Sequence, residues 1–450
     1  MECFVVTGGK PLHGSVTVRG AKNAFSKIMI SSLLTRQDVV LTNCPNTIEM
    51  ETVTEILRKV GATVTFRNGT VTVNAARVRN FRAAQLSRKN RLPVLAIAPL
   101  LHRLGRAEVP YVGADRPWVR LGAPRDRDGV AGDNLGARPV DFHLSALRKM
   151  GARIVVTRDS YKARAKRLHG TTIALPYPSV GATETVLLAS VLADGITTIK
   201  NAAGEPEVVD LISCLQKMGA LIELDTNRVI RVEGVKKLHG TEHRVIPDRM
   251  EAAAFAVLAV ATKGNILVRD AEAKHLITFL NALRKVGGEY RVEKNGIRFF
   301  RTGPLKPYAI ETAPHPGFMT DWQPPFTVLL MLARGRSTVH ETVYEDRFGY
   351  ISEFNRLGAR IEVVERCIKN PCRFAGGGYS HSIVIHGPTR LKGAAISVPD
   401  IRAGLAHLVV ALTARGKSVI SGIEHIDRGY EKIDTRLRRL GAQVVRRRAG

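Results

Sequence analysis

Basic side chains recur at the predicted starts of apolar helices in this chain. Lys22 lies in GAKNAFSK, Arg91 in KNRLPVL, Arg249 in PDRMEAAA and Arg402 in PDIRAGLA. A helix start presents unbonded backbone N–H groups and a partial positive charge, so an added cation makes it attractive to anions. One basic residue at a helix start is usually only solvated. Its recurrence at four of six equivalent positions favours binding of phosphate or carboxylate groups.

The helices that carry these residues belong to a sixfold internal repeat. Six segments end in basic or polar residues, then glycine, then a strand-like stretch: LRKVGA ending at Ala62, LRKMGA at Ala152, LQKMGA at Ala220, LRKVGG at Gly288, FNRLGA at Ala359 and LRRLGA at Ala442. Glycine at this point is typical of a helix that ends in a left-handed cap. An apolar helix and a short strand precede each motif, which predicts strand–helix–strand–helix–strand units.

Two repeats are longer than the others. Successive cap glycines are 68 residues apart from Gly151 to Gly219 and again from Gly219 to Gly287. The first interval exceeds this period by about 22 residues and the last by about 15. The excess falls in residues 111–135 and around residues 365–381. Long insertions in compact repeats are often functional loops.

Six units of this size suit two domains of three repeats each. The boundary is predicted near Ile246, Pro247 and Asp248, and the amino-terminal strand KPLHGSVTV could complete the carboxyl-terminal set. We therefore expect residues 1–21 with 247–450 to form one discontinuous α/β domain. Residues 22–246 would form the other, which carries the long loop 111–138.

Composition points to a cytoplasmic globular protein. The 450 residues are 44% hydrophobic, enough for one large or two medium cores. No apolar run is long enough to cross a bilayer, and the start MECFVVTGGK does not resemble a signal peptide. The five cysteines are scattered, as in a reducing compartment. Four residues separate Cys367 from Cys372, but no second Cys/His pair has zinc-like spacing, so we expect ordinary thiols and neither metal nor cofactor.

The net charge of +28 allows three interpretations. The chain could bind nucleic acid, act on polyanionic small molecules, or simply have a basic solvated surface. The basic residues are spread along the whole chain, without a helix-turn-helix, zinc-finger or aromatic RNA-binding signature. Nucleic acid is therefore an unlikely partner.

Seven motifs in one order give the chain a family resemblance. They are GAKNA at 20–24, LGARPVDFH at 135–143, SVGAT at 179–183, TAPHPGFMTDWQ at 312–323, EDRF at 345–348, PDIRA at 399–403 and HIDRGYE at 425–431. Together they resemble the UDP-N-acetylglucosamine 1-carboxyvinyltransferases. The resemblance implies the enolpyruvyl transferase fold, with two inside-out α/β domains of three βαβ-type repeats each.

The resemblance also implies the activity. The enolpyruvyl group of phosphoenolpyruvate would pass to the 3-hydroxyl of UDP-N-acetylglucosamine by addition and elimination, with release of phosphate, in the first committed step of peptidoglycan synthesis. This chemistry needs cations around phosphate and carboxylate, a base for the hydroxyl and an acid for the methylene carbon. The two substrates are the expected partners, and no cofactor is implied.

Site residues follow from the matching motif positions. Lys22, Arg138 and Arg428 would hold the phosphate, whereas Arg347 and Arg402 would meet the carboxylate, with Arg91 near by. The residues that would position the UDP-sugar are Asn23, Ser179, Val180, Gly181 and the backbone around Val343. Asp321 matches the aspartate that hydrogen-bonds the attacking hydroxyl, and Asp400 lies in the matching PDIRA motif. Both aspartates could instead be helix N-caps.

One position departs from the usual family pattern. Most members have a reactive cysteine three residues before the glycine of GARPVD, where this chain has Asp133. A carboxylic acid can donate a proton but is a poorer soft nucleophile than a thiolate. Asp133 is preferred as the catalytic acid because its spacing to Arg138 is intact. Asp115, in VPYVGAD, is the competing candidate, and both could be turn aspartates.

Two other functions compete with this one. The sister enzyme 5-enolpyruvylshikimate-3-phosphate synthase shares the fold and the chemistry, but the HIDRGYE, TAPHP and GARPVD motifs favour the UDP-sugar enzyme. A basic, non-catalytic nucleic-acid-binding paralogue would not be expected to keep the whole set of charged site residues.

Overall fold

The computed structural model describes residues 2–83, 92–110, 140–365, 367, 372, 374–399 and 403–448. Its strands are β1 Glu2–Gly8, β2 His13–Thr17, β3 Val39–Thr42, β4 Thr63–Arg67, β5 Thr70–Asn74, β6 Arg106–Pro110, β7 Arg153–Val156, β8 Ser160–Arg164, β9 Thr172–Ala174, β10 Ile196–Lys200, β11 Leu221–Asp225, β12 Val229–Glu233, β13 Thr241–Arg244, β14 Asn265–Arg269, β15 Glu289–Glu293, β16 Gly296–Phe300, β17 Ala309–Glu311, β18 Gly335–His340, β19 Ile361–Val364, β20 Ser382–Gly387, β21 Ala395–Ser397, β22 Gly416–Ser421 and β23 Gln443–Arg448.

The α-helices alternate with these strands. They are α1 Lys22–Ser31, α2 Ile48–Val60, α3 Leu92–Leu95, α4 Ile97–Leu104, α5 Asp141–Lys149, α6 Val180–Ser190, α7 Pro206–Lys217, α8 Arg249–Ala261, α9 Ile277–Val286, α10 Gln323–Leu332, α11 Ile351–Arg356, α12 Gly404–Thr413, α13 Glu424–Gly429 and α14 Ile433–Arg439.

The glycines that mark the repeat have the predicted conformation. All six helix-end glycines have positive φ, from 91° to 103°: Gly61, Gly151, Gly219, Gly287, Gly358 and Gly441. A side chain is strained in this left-handed conformation, so glycine ends each helix at the lowest cost and lets the chain turn into the next strand. The sixfold repeat predicted from the sequence is confirmed at these positions.

Six small sheets correspond to the six repeats. Five have four strands in the part of the chain described. In each, a parallel pair is followed by two strands that each pair antiparallel to the one before, as in β17-β18-β20-β19. The sixth, β6-β8-β7, has an isolated parallel bridge between Arg82 and Glu108. The four-stranded sheets thus have one strand more than the three that the sequence predicted for a repeat.

The chain divides into two compact units. One contains Met1–Arg19 and Pro247–Gly450, and the other contains the rest of the described chain up to Ile246. The amino-terminal segment belongs to the first unit because β1 pairs with β22 and β23, and β2 lies parallel to β14. Each unit has three of the sheets and its own hydrophobic core.

Each unit has helices at its centre and sheets outside. In the first unit, α8, α10 and α12 pack against one another, and all thirteen residues of α8 are buried. A helix that is apolar on every side must be surrounded by protein. The outer helices bury only one face; in α9 this face is formed by Phe279, Leu280, Leu283 and Val286. Within the described residues, no helix has the length and hydropathy needed to cross a membrane.

Candidate active site

Lys22 and Asn23 form the first turn of α1. Ala21 precedes them in an extended conformation, and no side chain caps the helix at this residue. The Ala21 N–H donates to the Ile246 carbonyl over 2.7 Å, which ties the helix start to the strand segment that follows β13. Lys22 and Asn23 are half-buried. The start of α1 thus places a cation beside backbone N–H groups. The Ala21 side chain has no acceptor atom for these groups.

Ser179, Val180 and Gly181 form the equivalent start of α6. The Ser179 hydroxyl caps the helix by accepting the Ala182 N–H over 3.4 Å. A Cβ atom at Gly181 would lie 2.8 Å from Cε1 of His143, which is too close for a real contact. His143 is held there by a 2.7 Å hydrogen bond between its Nδ1 and the Thr185 hydroxyl. A side chain at Gly181 would therefore force the His143 ring of α5 to move.

A buried carboxyl group lies behind these two helix starts. Glu184 on α6 is 1% exposed, and burial raises its pKa to about 7, an effect that Lys27 on α1 opposes and Glu207 and Glu205 reinforce. The interaction of Glu184 with Lys27 shows that α1 and α6 lie near each other within this unit. The environment of Glu184 was not expected from the sequence, because the neighbouring charges come from two other helices.

Asp321 and Arg347 form an ion pair in the other unit. Their side chains approach to 3.3 Å between Nη2 and Oδ1, with exposed fractions of 0% for arginine and 8% for aspartate. Asp321 lies within the 3-10 turn Thr320–Trp322 that leads into α10, and neither this turn nor α10 has a side-chain cap. Asp321 is therefore not at the N-cap position of either element; these positions are Met319 and Trp322. The structure brings together two residues that the sequence placed at the reacting centre.

Glu341 fixes the backbone around Val343. Its Oε1 accepts the N–H groups of Val343 and Tyr344 over 2.8 and 3.1 Å, and its Oε2 accepts the Thr320 hydroxyl over 2.9 Å. Burial raises the pKa of the Glu341 carboxyl, whereas the nearby Arg347 and these hydrogen bonds oppose the rise. Glu341 thus joins the turn before Asp321 to the backbone at Val343. Glu341 has no signal in the sequence, because no spacing rule links residues 320, 341 and 343.

Arg428 lies half-buried on α13, in the same unit as Asp321. The helix approaches the start of α12 closely, since a Cβ at Gly404 would lie 3.1 Å from Cγ1 of Ile426. Asp427 anchors α13 to β23 by accepting two hydrogen bonds from Arg446, of 2.8 and 2.6 Å. Arg428 thereby follows two anchored residues of this helix, Ile426, which is packed, and Asp427, which is ion-paired.

Arg249 is mainly buried at the start of α8. Asp248 caps this helix by accepting the N–H groups of Met250 and Glu251 over 2.7 and 3.1 Å. The Arg249 guanidinium lies 5.5 Å from the centre of the Trp322 ring, and its Nη1 is 3.5 Å from Nδ1 of His315. Of the four basic helix starts singled out in the sequence, this one contacts the turn that holds Asp321.

Other predicted site residues lie outside the described part of the chain. They are Arg91, Asp115, Asp133, Arg138, Asp400 and Arg402, together with the loop 111–138.

Comparison with known proteins identifies the class. Residues 6–437 match the family described as EPSP synthase (3-phosphoshikimate 1-carboxyvinyltransferase). Because this match spans nearly the whole chain, the protein belongs to this enolpyruvyl transferase family.

Relatives within the family are more specific. The chain is 44% identical to the UDP-N-acetylglucosamine 1-carboxyvinyltransferase of Protochlamydia amoebophila, over 99% of this chain and 94% of the relative. It is 42% identical to the protein of the same name from Chlamydia muridarum, over 99% and 98% of the two chains.

Solved structures agree with the fold. The enolpyruvyl transferase NikO from Streptomyces tendae superposes with a TM-score of 0.83 at 23% identity, covering 100% of this chain and 99% of that one. EPSP synthase from Acinetobacter baumannii gives a TM-score of 0.74 at 17% identity, with 100% of both chains covered. The predicted fold class, two inside-out α/β domains built from βαβ-type repeats, is confirmed.

Proposed function

We propose that the protein transfers the enolpyruvyl group of phosphoenolpyruvate to the 3-hydroxyl of UDP-N-acetylglucosamine and releases phosphate. The observation that carries this proposal is the identity of 44% to a UDP-N-acetylglucosamine 1-carboxyvinyltransferase over 99% of the chain. The motif positions of that chemistry are present in order along the sequence. Peptidoglycan synthesis in the cytoplasm is the process that such an activity would serve, and through it cell shape and division.

Asp321 is proposed to accept the hydrogen bond of the attacking sugar hydroxyl. Its ion pair with Arg347 supports this role, because the buried guanidinium orients the carboxylate, whose oxygens accept hydrogen bonds. Arg347 would also meet the carboxylate of phosphoenolpyruvate, as would Arg402. A guanidinium has five N–H donors, so one arginine can contact both a protein carboxylate and a substrate carboxylate.

Lys22, Arg138 and Arg428 are proposed to hold the phosphate, with Arg91 near by. A helix start such as that of α1 stabilises the negative charge that the leaving phosphate develops. The UDP-sugar would lie against Asn23, the α6 start at Ser179, Val180 and Gly181, and the backbone at Val343. Asp133 is proposed as the acid that protonates the methylene carbon, and Asp400 as a further residue of the site.

Phosphate release tests the proposal directly. The protein is incubated with phosphoenolpyruvate and either UDP-N-acetylglucosamine or shikimate-3-phosphate, and free phosphate and the product mass are measured. We expect phosphate and the enolpyruvyl-UDP-sugar only with the UDP-sugar. Release with shikimate-3-phosphate alone would assign the sister activity, and no release with either acceptor would overturn both assignments.

A further inference from the structure

Four soft or borderline metal ligands meet at one end of the sheet β17-β18-β20-β19. His340 is the last residue of β18, and His381 immediately precedes β20, the neighbouring strand. Cys367 and Cys372 come from the insertion that follows β19. The register pairs His340 with Ser382, so the two histidines lie at the same edge. None of the four residues has a role in the proposed transfer reaction.

The ligand atoms are close together. One potential ligand atom each from His340, Cys372 and His381 lies within 4.8 Å of the other two. Nε2 of His381 is 3.3 Å from the Cys372 sulfur and 3.4 Å from the Cys367 sulfur. The Cys367 thiol also contacts Cys372. In a tetrahedral zinc site, Zn–S bonds of about 2.3 Å and Zn–N bonds of about 2.0 Å place sulfur and nitrogen about 3.5 Å apart.

We propose that Cys367, Cys372, His381 and His340 bind one structural zinc ion. Two thiolates and two imidazoles are a donor set typical of tetrahedral zinc. Four protein ligands would leave no open coordination position, so the ion would stabilise structure and take no part in catalysis. The proposal departs from the expectation of ordinary thiols, because His340 is 41 positions before His381 and meets it only through strand pairing.

Both histidines are oriented for such a role. Nδ1 of His381 lies 2.7 Å from the Tyr379 carbonyl oxygen, which can only accept, so in the neutral tautomer that this bond selects Nε2 is the nitrogen available to a metal. Nδ1 of His340 lies 2.9 Å from the Ser382 hydroxyl. The rings are 3% and 1% exposed, and Phe374 packs edge-on against His381 with centroids 5.8 Å apart.

The zinc ion would anchor the insertion to the sheet that supports the candidate active site. Glu341 follows His340 in the chain, and its N–H donates to the His381 carbonyl over 2.8 Å. The carboxylate of the same residue holds Thr320, next to Asp321, and the backbone of Val343. A metal ion that closes the loop between β19 and β20 would therefore restrict the motion of two segments that contact Glu341. One is its neighbour His340, and the other is the segment at His381 that accepts its N–H.

Metal analysis tests the inference independently of any activity. The untagged full-length protein is purified under reducing conditions from zinc-supplemented medium, and its metals are measured by mass spectrometry. We expect about one zinc per chain. The variants Cys372→Ser and His381→Asn should lose it. Two matched controls should keep it: Cys3→Ser, a buried cysteine of the same unit, and His386→Gln, a histidine further along β20.

Binding of Co²⁺ to the wild-type protein tests the site even if a variant fails to fold. Apo wild-type protein titrated with Co²⁺ should develop thiolate-to-cobalt charge-transfer bands and the intense visible bands of tetrahedral cobalt, saturating at about one equivalent. Cys367→Ser should weaken the charge-transfer band and keep a residual one from Cys372. The proposal is overturned if reduced wild-type protein takes up neither ion, if Cys372→Ser binds as much zinc as wild type, or if Cys367 and Cys372 are isolated as a disulfide.

Discussion

Asp321 and Arg347 show why a site residue and a stabilising residue can be the same side chain. Removing one partner of a buried ion pair destabilises the folded protein by more than the intact pair stabilises it, because the remaining charge is left buried without a partner. Truncation of either residue would therefore affect both folding and chemistry. A substitution that keeps the shape and removes only the charge separates the two effects.

Asp321→Asn is expected to lower kcat by a factor of about 100 or more, the usual contribution of a positioned base. The amide oxygen can still accept a hydrogen bond from Arg347, so the protein should fold and bind both substrates. Phosphate release at saturating substrate measures the loss. The matched control is Asp346→Asn, an exposed aspartate in the adjacent EDRF motif. Full activity in Asp321→Asn would remove this carboxylate from the reaction.

Asp133 allows a prediction about inhibition by fosfomycin, which alkylates the loop cysteine in most family members. A carboxylate opens an epoxide far less readily than a thiolate, so the wild-type enzyme should turn over and resist the drug. Asp133→Cys should restore time-dependent inactivation, measured by residual activity and by the mass of the adduct. Asp133→Asn should sharply lower turnover, because the amide is no longer a proton donor.

Asp115 supplies the contrasting outcome. If Asp115→Asn abolishes turnover while Asp133→Asn does not, the acid lies before the insertion and the alignment of this loop with the family is wrong. Covalent inactivation of the wild-type enzyme would show that a thiol from elsewhere in the chain reaches the drug.

Residues in short motifs could be predicted from the sequence, whereas their supports could not. Lys22, Asp321 and Arg347 stand in continuous segments that resemble family motifs. Glu341 acts through hydrogen bonds to Thr320 and Val343, and its importance depends on burial that appears only in the folded chain. A buried carboxylate cannot be distinguished from a surface one by its type or spacing.

At the scale of elements, the start of α6 depends on a glycine. Gly181→Ala would place a methyl group 2.8 Å from the His143 ring, which Thr185 holds in position. Overpacking of this kind costs about 1–3 kcal/mol of stability. We expect that loss in urea unfolding, together with a raised KM for UDP-N-acetylglucosamine, because the displaced backbone belongs to the proposed sugar site.

Gly204 provides the matched control for Gly181. A Cβ atom at Gly204 meets nothing within 4 Å, so Gly204→Ala should leave stability and KM unchanged. Replacing His143 with alanine in the Gly181→Ala protein should recover part of the lost stability, since it removes the overlapping ring. If Gly181→Ala behaves as wild type, the approach of α5 does not constrain this helix start.

The ends of the helices could be predicted from the sequence, whereas the pairing of the strands could be predicted only in part. The left-handed cap is a local conformation that glycine alone adopts cheaply, and every predicted cap glycine has it. β13 and β3 lie near opposite ends of the sequence of one unit, and they pair only because the last repeat folds back onto the first. No local sequence feature indicates this pairing. The approach of Cys372 to His340 is hidden for the same reason.

At the scale of the whole molecule, the stability of each unit depends on central helices that must be apolar throughout. An ionisable group in such a helix is an exception, and it makes the stability of the unit depend on pH. Glu184 lies in α6, where every residue from Ala182 to Ser190 is buried. Burial disfavours its ionised form, and the carboxylates of Glu205 and Glu207 add to that effect.

The direction of the pH effect follows from the raised pKa. The folded-state pKa of Glu184 is about 7 against an ordinary value of 4.5, so the folded unit holds a proton that the unfolded chain releases. The stabilising contribution of the protonated group is complete below the unfolded value and is lost as pH rises toward the folded value. Between these limits the change is on the order of 3 kcal/mol.

Glu184→Gln should therefore be more stable than wild type at pH 8 and nearly equal to it at pH 5. The amide mimics the protonated acid and cannot ionise, so the variant lacks the loss that wild type suffers as pH rises. Urea unfolding of both proteins across this range gives the difference, and Glu233→Gln, an exposed glutamate of the same unit, should show no such trend. A wild-type advantage at pH 8 would mean that the folded-state pKa of Glu184 is not raised and that Lys27 outweighs its burial.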